Sequence, residues 1–144
     1  MKIAIGSDHA GFAAKCDVVE YLKDNGHEVL DCGPFSADRC DYPDFAYAVG
    51  NAINEGKVDI GVLICSSGEG ISMAANRMKN IRCGLAYNDE VAALIKQHNN
   101  ANVISFGAKF MTVEEITRRI DIFMNSKFEG GRHEGRVEKI EKIK

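Results

Sequence analysis

Hydrophobic residues recur along the chain in two alternating patterns. Short β-rich runs at residues 2–6 and Ile60–Cys65 predict strands, and the second run is apolar throughout, as in a strand buried on both faces. Between such runs lie segments of helical length with one apolar side, as at Val18, Val19 and Leu22. The pattern therefore predicts strands that alternate with helices.

The same alternation continues to the end of the chain. Further strands are predicted at residues 27–31, 82–85 and 103–106. Further helices are predicted at residues 43–56, 71–78, from 89, and 112–125. Strands alternating with helices and joined by right-handed crossovers predict an α/β fold, a Rossmann-like three-layer α/β/α sandwich with a parallel sheet of about five strands. A C-terminal helical tail completes a single domain over 1–144, and its apolar stripe (tail 129–144) predicts packing on a partner subunit.

Composition narrows the functional classes. The net charge is -3 and the pI about 5.8, which argues against nucleic acid as a partner. No apolar run reaches the ~18 residues of a membrane span, so we expect no membrane partner and a cytoplasmic location. Five cysteines without a CxxC pair indicate reduced thiols and no zinc site, and four of them are interpreted as small hydrophobes in or near the core.

Polar residues follow the first predicted strand, at the edge where parallel sheets bind ligands. Asp8 and His9 stand side by side before a helix, whose N-terminus attracts anions. An Asp8 or Ser7 that merely caps the helix is an equally good interpretation. This segment alone leaves both open.

A glycine-bearing loop, Cys65-Ser66-Ser67-Gly68-Glu69-Gly70, follows the central strand and leads into a helix. Its backbone amides could converge on an anion, and a thiol beside a helix N-terminus can serve as a proton-abstracting base. The alternative is a buried, inert cysteine. The loop matches neither GxGxxG nor GxxxxGK[ST], which argues against dinucleotide and ATP binding.

Three further groups have a functional and a structural interpretation. His98 and Asn99 end a helix, where the imidazole could act as an acid or simply cap the helix. Arg132 and Arg136 share a helical face and could bind a phosphate together with the nearby His133, or remain solvated charge. Tyr42, predicted to lie in a loop, could line a pocket or pack in the core.

Five segments in order resemble the ribose-5-phosphate isomerase type B family, which also contains galactose-6-phosphate and allose-6-phosphate isomerases. They are GSDHAG near the start, DYPD at 41–44, LICSSGEGISMAANR at 63–77, HNNANV at 98–103 and FEGGRHEGRV at 128–137. The resemblance spans essentially the whole chain. It implies a homodimer, sometimes a tetramer, with active sites shared between subunits, a small phosphorylated sugar as substrate, and no metal or organic cofactor.

The resemblance also implies roles for individual residues. Cys65 would be the base between C1 and C2, Ser67 would assist the proton transfer, and Asp8 and His98 would help to open the sugar ring. The remaining predicted site residues would bind substrate: the amides of Ser66, Gly68, Glu69 and Gly70 the enediolate oxygen, Tyr42 and Asn99 sugar hydroxyls, and His9, Arg132 and Arg136 the phosphate.

Two positions depart from the family's pattern. Glu69 puts a carboxylate into the anion-binding loop and could compete as base, although Ile71 occupies the place where some relatives carry an acid. Lys109 replaces an arginine and loses its bidentate fork, so its part in phosphate binding is doubtful.

Ribose 5-phosphate is the predicted substrate, with allose or galactose 6-phosphate as the alternative. A non-catalytic phosphosugar-binding module and a thiol redox protein are the other hypotheses, and the missing CxxC argues against the last.

Overall fold

A computed structural model describes residues 1–143; Lys144, the last residue of the predicted tail, lies outside the described residues. The chain forms five strands and six helices: β1 (Lys2–Ser7), α1 (Phe12–Asp24), β2 (Glu28–Asp31), α2 (Tyr42–Asn54), β3 (Ile60–Cys65), α3 (Glu69–Ala75), β4 (Cys83–Leu85), α4 (Asp89–Gln97), β5 (Val103–Gly107), α5 (Val113–Met124) and α6 (Arg132–Glu141).

The strands form one parallel sheet in the order β2-β1-β3-β5-β4. Every residue of β3 is buried, as the unbroken apolar run predicts. Two hydrophobic clusters cover the two faces of the sheet. One is formed with α1, α4 and α5, and the other with α2 and α3. The predicted three-layer α/β/α sandwich is therefore confirmed.

Local signals account for several helix ends. Thr112 and Glu115 form a reciprocal capping box at the start of α5, and the Asn88 side chain accepts from the Val91 amide at 2.8 Å at the start of α4. Pro43 lies in the first turn of α2, where its missing N–H costs no hydrogen bond. Tyr42 therefore begins a helix, and its prediction as a loop residue is wrong.

Helix α3 begins at Glu69, two residues before the predicted start, and ends at Ala75 rather than Met78. Gly70 accounts for the difference at the start of the helix. Because glycine weakens a helix, the sequence predicts Gly70 as part of the loop. The Glu69 and Gly70 amides therefore belong to the first turn of a helix.

The tail helix α6 is joined to the body by Arg82, whose Nη1 donates to Glu141 Oε1 at 2.6 Å. Ile140 and Ile143, two residues of its predicted apolar stripe, are 50% and 82% exposed. Within one chain these two isoleucines are only partly covered, whereas Val137 is half-buried. No helix among residues 1–143 is long and apolar enough to cross a membrane.

Candidate active site

The chain changes direction between β1 and β3, which lie side by side at the centre of the sheet. From β1 it crosses to β2 on one side, and β3 begins the half on the other side. Ligands of open α/β sheets bind at such a switch point, beyond the carboxyl ends of the strands. Here that crevice is flanked by the residues that follow Ser7 and by those that follow Ile64, its partner across the ladder.

Asp8 and Cys65 lie on the two sides of this crevice. The Asp8 amide donates to the Ile64 carbonyl at 3.2 Å, so the loop after β1 contacts the end of β3, the strand that ends in Cys65. A Cβ on Gly11 would lie 2.5 Å from the Ile64 oxygen, so only glycine permits this approach. The Asp8 and Cys65 loops are therefore neighbours, as the sequence predicts.

Cys65 ends β3 with only 4% of its surface exposed, and its Sγ accepts a hydrogen bond from the Gly68 amide at 3.1 Å. An N–H donor at this distance stabilises negative charge on sulfur. Gly68 has φ of 83°, and a Cβ there would lie 2.5 Å from Leu85 Cδ1, so the turn that aims its amide requires glycine.

Ser67 lies at the centre of the loop, where its Oγ accepts from the Glu69 amide at 3.2 Å. The Ser66 carbonyl accepts from the Lys109 amide at 3.0 Å, which anchors the loop to the end of β5. Glu69 is exposed at the first position of α3, where the helix dipole favours its negative charge. The loop thus offers a sulfur, a hydroxyl and several amides within one turn.

Asp8 is 7% exposed and accepts from the Gly11 amide at 2.9 Å through Oδ1. The residue at the N-cap of α1 is Gly11, without a side-chain cap, so the interpretation of Asp8 or Ser7 as the N-cap is wrong. His9 is exposed, and its Nδ1 lies 3.3 Å from the nitrogen and 3.2 Å from the oxygen of Cys40. This contact ties His9 to the chain segment that leads to Tyr42.

Tyr42 lies over the loop as well. A Cβ on Gly70 would lie 2.6 Å from Tyr42 Cζ, which shows that the ring packs directly on this glycine. The side chain remains 39% exposed. The structure therefore brings together all the predicted site residues from the first three strand ends, including Tyr42.

The other predicted site residues lie at the opposite edge of the sheet. Because α4 runs back from the carboxyl end of β4, its C-cap residue His98 lies near the amino end of β5. The Asn102 amide there donates to the Arg82 carbonyl, just before β4. A strand of five residues at ~3.3 Å each separates the two edges by about 17 Å. Cys65 and His98 of one chain therefore do not meet.

Arg132 and Arg136 accompany His98 at this amino edge. The Glu129 amide donates to the Gln97 carbonyl at 2.9 Å, and α6 starts three residues later. A cavity of about 300 Å³ lies beside β4, and Asn99, Arg82 and Ile140 contribute to its wall. The predicted site residues thus form two groups, a carboxyl-edge group around Cys65 and an amino-edge group of His98, Asn99, Arg132 and Arg136.

Sequence reasoning assigned no role to Glu129, and it placed His133 only beside the arginine pair. His133 is buried and stacks on His98, and Glu129 Oε1 lies 3.7 Å from His98 Nε2 and 3.6 Å from His133 Nε2. Burial lowers the pKa of His133 from 6.5, and the charges of His98 and Arg132 lower it further. The i,i+4 spacing of Glu129 and His133 was the one available signal.

His98, Glu129 and His133 are also a group of potential metal ligands, with their ligand atoms within 4.8 Å of one another. The two rings are 12° from parallel with centroids 4.2 Å apart. Parallel rings direct their nitrogen lone pairs along their own planes, so the two lone pairs do not converge on a point between them. Arg132 also adds positive charge nearby. The arrangement is therefore poorly suited to a metal ion.

All five cysteines are free. The interpretation as core hydrophobes is wrong for Cys16, which is exposed, while Cys32, Cys40 and Cys83 are partly buried. Burial raises the pKa of Cys83 to about 11, so this thiol stays protonated at neutral pH.

Together, the switch-point crevice, the buried thiol with its amide donor and the loop of helix-start amides define an α/β enzyme domain for small anionic substrates. The family model described as Ribose/Galactose Isomerase matches residues 3–140. The chain therefore belongs to the ribose/galactose isomerase family, which confirms the resemblance seen in the sequence.

Individual relatives agree with this assignment. Ribose-5-phosphate isomerase B of Escherichia coli is 43% identical over 142 residues, which cover 99% of this chain and 95% of the relative. The crystal structure of a ribose 5-phosphate isomerase from Thermotoga maritima matches with a TM-score of 0.97 at 42% identity, over 99% of this chain and 98% of the other. Ribose-5-phosphate isomerase B from Mycoplasma genitalium with bound ribulose-5-phosphate matches with a TM-score of 0.92 at 41% identity, over 97% and 93%.

Proposed function

We propose that this protein interconverts ribose 5-phosphate and ribulose 5-phosphate through an enediolate, with Cys65 as the base and without a cofactor. The observation that carries the proposal is the Cys65 sulfur at the switch point, with the Gly68 amide 3.1 Å away. The relatives named ribose-5-phosphate isomerase B, one of them with bound ribulose-5-phosphate, support the substrate.

The steps balance without an oxidant or a metal. The Cys65 thiolate removes the proton from C2 of the open-chain aldose, and the electron pair moves through C1 to the carbonyl oxygen. The amides of Ser66, Gly68, Glu69 and Gly70 stabilise the oxygen that gains charge, while the Ser67 hydroxyl moves a proton between O2 and O1. Return of the proton from Cys65 to C1 then yields the ketose.

The substrate ends are held by the remaining predicted residues. Asp8 and His98 assist ring opening, Tyr42 and Asn99 contact sugar hydroxyls, and His9, Arg132 and Arg136 bind the phosphate. A phosphate held at the far end positions the reacting carbons over Cys65, so binding energy contributes to the rate.

A complete site then requires two chains. His98 of the same chain lies about one strand length, roughly 17 Å, from Cys65, which is too far for both to touch one sugar phosphate. The amino-edge group of a second copy, placed over the carboxyl-edge group, supplies the missing residues. We infer a homodimer with two shared sites, in which the tail 129–144 packs on the partner. A tetramer and the cytoplasmic location stay predictions.

The decisive experiment measures both directions of ribose 5-phosphate and ribulose 5-phosphate interconversion by wild type and Cys65→Ala, with EDTA and reductant present. We expect turnover by the wild type and its loss in the variant. If turnover survives in Cys65→Ala, the base is another residue, and Glu69→Gln is the next variant to test. Binding of the sugar phosphate without turnover by the wild type would favour a non-catalytic binding module.

Six-carbon substrates form the second candidate, because the matched family is described as a ribose and galactose isomerase family. Allose 6-phosphate and galactose 6-phosphate are assayed in parallel with ribose 5-phosphate at equal concentrations. A higher kcat/KM on either hexose than on the pentose would replace the proposed substrate.

The shared site has its own test. Cys65→Ala and His98→Asn chains are unfolded, mixed in equal amounts and refolded together. In a mixed dimer one of the two sites is intact, so random pairing restores about one quarter of wild-type activity on ribose 5-phosphate, the substrate on which each variant alone is nearly inactive. If each site lies within one chain, mixing restores nothing.

A further inference from the structure

Two serine hydroxyls lie directly behind the Cys65 loop. Ser105 is fully buried in β5, and Ser72 lies in α3, one turn after Gly68. The two Oγ atoms are hydrogen-bonded to each other, and the Ser72 hydroxyl also donates to the Gly68 carbonyl at 2.6 Å. The proposed chemistry assigns neither serine a role.

The Gly68 carbonyl can only accept, and this determines the direction of these hydrogen bonds. The Ser72 proton is committed to the Gly68 oxygen at 2.6 Å, so its Oγ accepts from Ser105. The Gly84 carbonyl, the other acceptor near Ser105, is 3.4 Å away. The Cys83 thiol, protonated because burial raises its pKa, also donates to Ser72 Oγ at 3.7 Å. The Ser72 oxygen therefore accepts from two donors, and the Ser72 hydroxyl donates its own hydrogen bond to the Gly68 carbonyl of the loop.

The receiving carbonyl belongs to the peptide unit that joins Gly68 to Glu69. In a planar trans peptide the N–H points away from the C=O, so the Glu69 amide faces the opposite side, toward the site. This amide donates to Ser67 Oγ at 3.2 Å. One chain of hydrogen bonds thus runs from Ser105 through Ser72 and the 68–69 peptide to Ser67.

We propose that Ser105 and Ser72 are positioning residues for proton transfer at Cys65, an inference that rests on the proposed isomerase function. A donor on the carbonyl polarises the peptide, which strengthens its N–H as a donor. The Glu69 amide then holds one lone pair of Ser67 Oγ and leaves the Ser67 proton available to the sugar oxygen.

Ser105→Ala and Ser72→Ala each remove a link while adding no volume. We expect kcat to fall by about tenfold in each, the upper range of one hydrogen bond, with KM within about twofold because the phosphate is held elsewhere. The double variant is no slower than Ser72→Ala, because the links act in series. Ser72→Thr keeps the hydroxyl and restores kcat.

Ser126→Ala is the matched control. The Ser126 hydroxyl donates to the Ile122 carbonyl, four residues earlier, at 2.7 Å, the same local bond that Ser72 makes to Gly68 at 2.6 Å. It lies at the end of α5, away from the loop. We expect its kcat to remain at the wild-type value. An equal loss of kcat in Ser126→Ala would reduce the Ser72 effect to general destabilisation and overturn the proposal.

The decisive comparison uses a Ser67→Ala background. If Ser105 acts through Ser67, Ser105→Ala costs no further kcat there, whereas the same tenfold loss in both backgrounds would overturn the proposal. The ¹⁵N–¹H shift of the Glu69 amide tests the chain independently of turnover. It moves in Ser105→Ala and not in Ser126→Ala, and an unmoved signal refutes the inference even if the isomerase function stands. If the wild type proves inactive, the amide shift alone decides.

Discussion

The imidazole rings of His98 and His133 are stacked, with centroids 4.2 Å apart and planes within 12° of parallel. The contact joins the end of α4 to the first turn of α6. Glu129 Oε1 lies beside the Nε2 atoms of both rings. The stack therefore fixes His98, proposed for ring opening, against the helix that carries Arg132 and Arg136, proposed for phosphate binding.

The stack predicts a pH-dependent stability. Burial and then the His98 and Arg132 charges lower the pKa of His133 below 6.5, so the unfolded chain binds the proton at higher pH than the folded chain. Stability is therefore fully present above the unfolded pKa and falls as pH drops through it. Urea unfolding at pH 7.5 and 5.0 should show a smaller loss in His133→Gln than in the wild type. Equal losses in the two proteins would contradict this account.

His98 should affect the two reaction directions unequally. Ribose 5-phosphate closes into a furanose ring, whereas ribulose 5-phosphate cannot, because its C5 oxygen carries the phosphate. His98→Asn should therefore lower the rate from the aldose by about a hundredfold, the range of one acid–base group, and the rate from the ketose far less. Single-turnover rates with enzyme in excess of substrate provide the test, because uncatalysed ring opening is then the slow step from the aldose only. At low enzyme concentrations the fixed equilibrium constant would make kcat/KM fall equally in both directions.

Cys65→Ala is the comparison for this experiment, because loss of the base slows both directions alike. The His98→Asn variant still acts on the open-chain aldose, and with enzyme in excess the slow uncatalysed opening of the ring limits only the forward direction. A symmetric loss in His98→Asn would assign His98 to proton transfer or binding instead of ring opening.

A side chain at Gly70 should displace the Tyr42 ring from its place over the loop. A methyl group there would lie 2.6 Å from Tyr42 Cζ and would displace the ring. We expect Gly70→Ala to raise KM at least several-fold. In Tyr42→Ala the ring is absent, so adding Gly70→Ala should cost little more, a coupling that a double-mutant cycle measures. Additive effects would show that Gly70 acts without Tyr42.

The ion pair of Lys15 and Asp31 should be the most costly one to break. Lys15 is 1% exposed, and its Nζ contacts both Asp31 oxygens at 2.7 and 2.8 Å. Asp31→Asn leaves a buried ammonium without its counter-charge, which costs about 3–5 kcal/mol of unfolding free energy. Urea denaturation of the variant gives this value.

The exposed pair of Lys57 and Glu55 is the control, with a similar 2.7 Å distance but side chains 63% and 54% exposed. Glu55→Gln should leave the free energy of unfolding nearly unchanged, because solvent screens this pair. The double variant of Lys15→Met with Asp31→Asn should recover part of the loss, since no buried charge remains. A double variant as unstable as Asp31→Asn would point to lost packing around Lys15.

The sequence predicted the sheet and one half of the site because both depend on local order along the chain. The apolar run Ile60–Cys65 permits little except a central strand, and parallel strands bring their carboxyl ends to one edge. The sequence alone therefore predicts that Asp8 and Cys65 lie at the same edge of the sheet. The family resemblance then added roles that no periodicity contains.

Errors occurred where a residue's conformational preference was overruled by its surroundings. Gly70 weakens a helix, yet it lies in the first turn of α3, where the Tyr42 ring packs against it. Tyr42 itself was predicted in a loop, although a proline in the first turn is compatible with a helix that begins at Tyr42.

The sequence by itself determined the layer order and the chemistry available at each strand end, since these follow from periodicity and residue type. Only the tertiary structure decided that His98 lies at the opposite edge from Cys65 and stacks on His133. Likewise, an all-buried strand such as β5 does not reveal toward which face Ser105 points. These contacts join residues far apart in sequence, and only the packing of α3, α4 and α6 against the sheet brings them together.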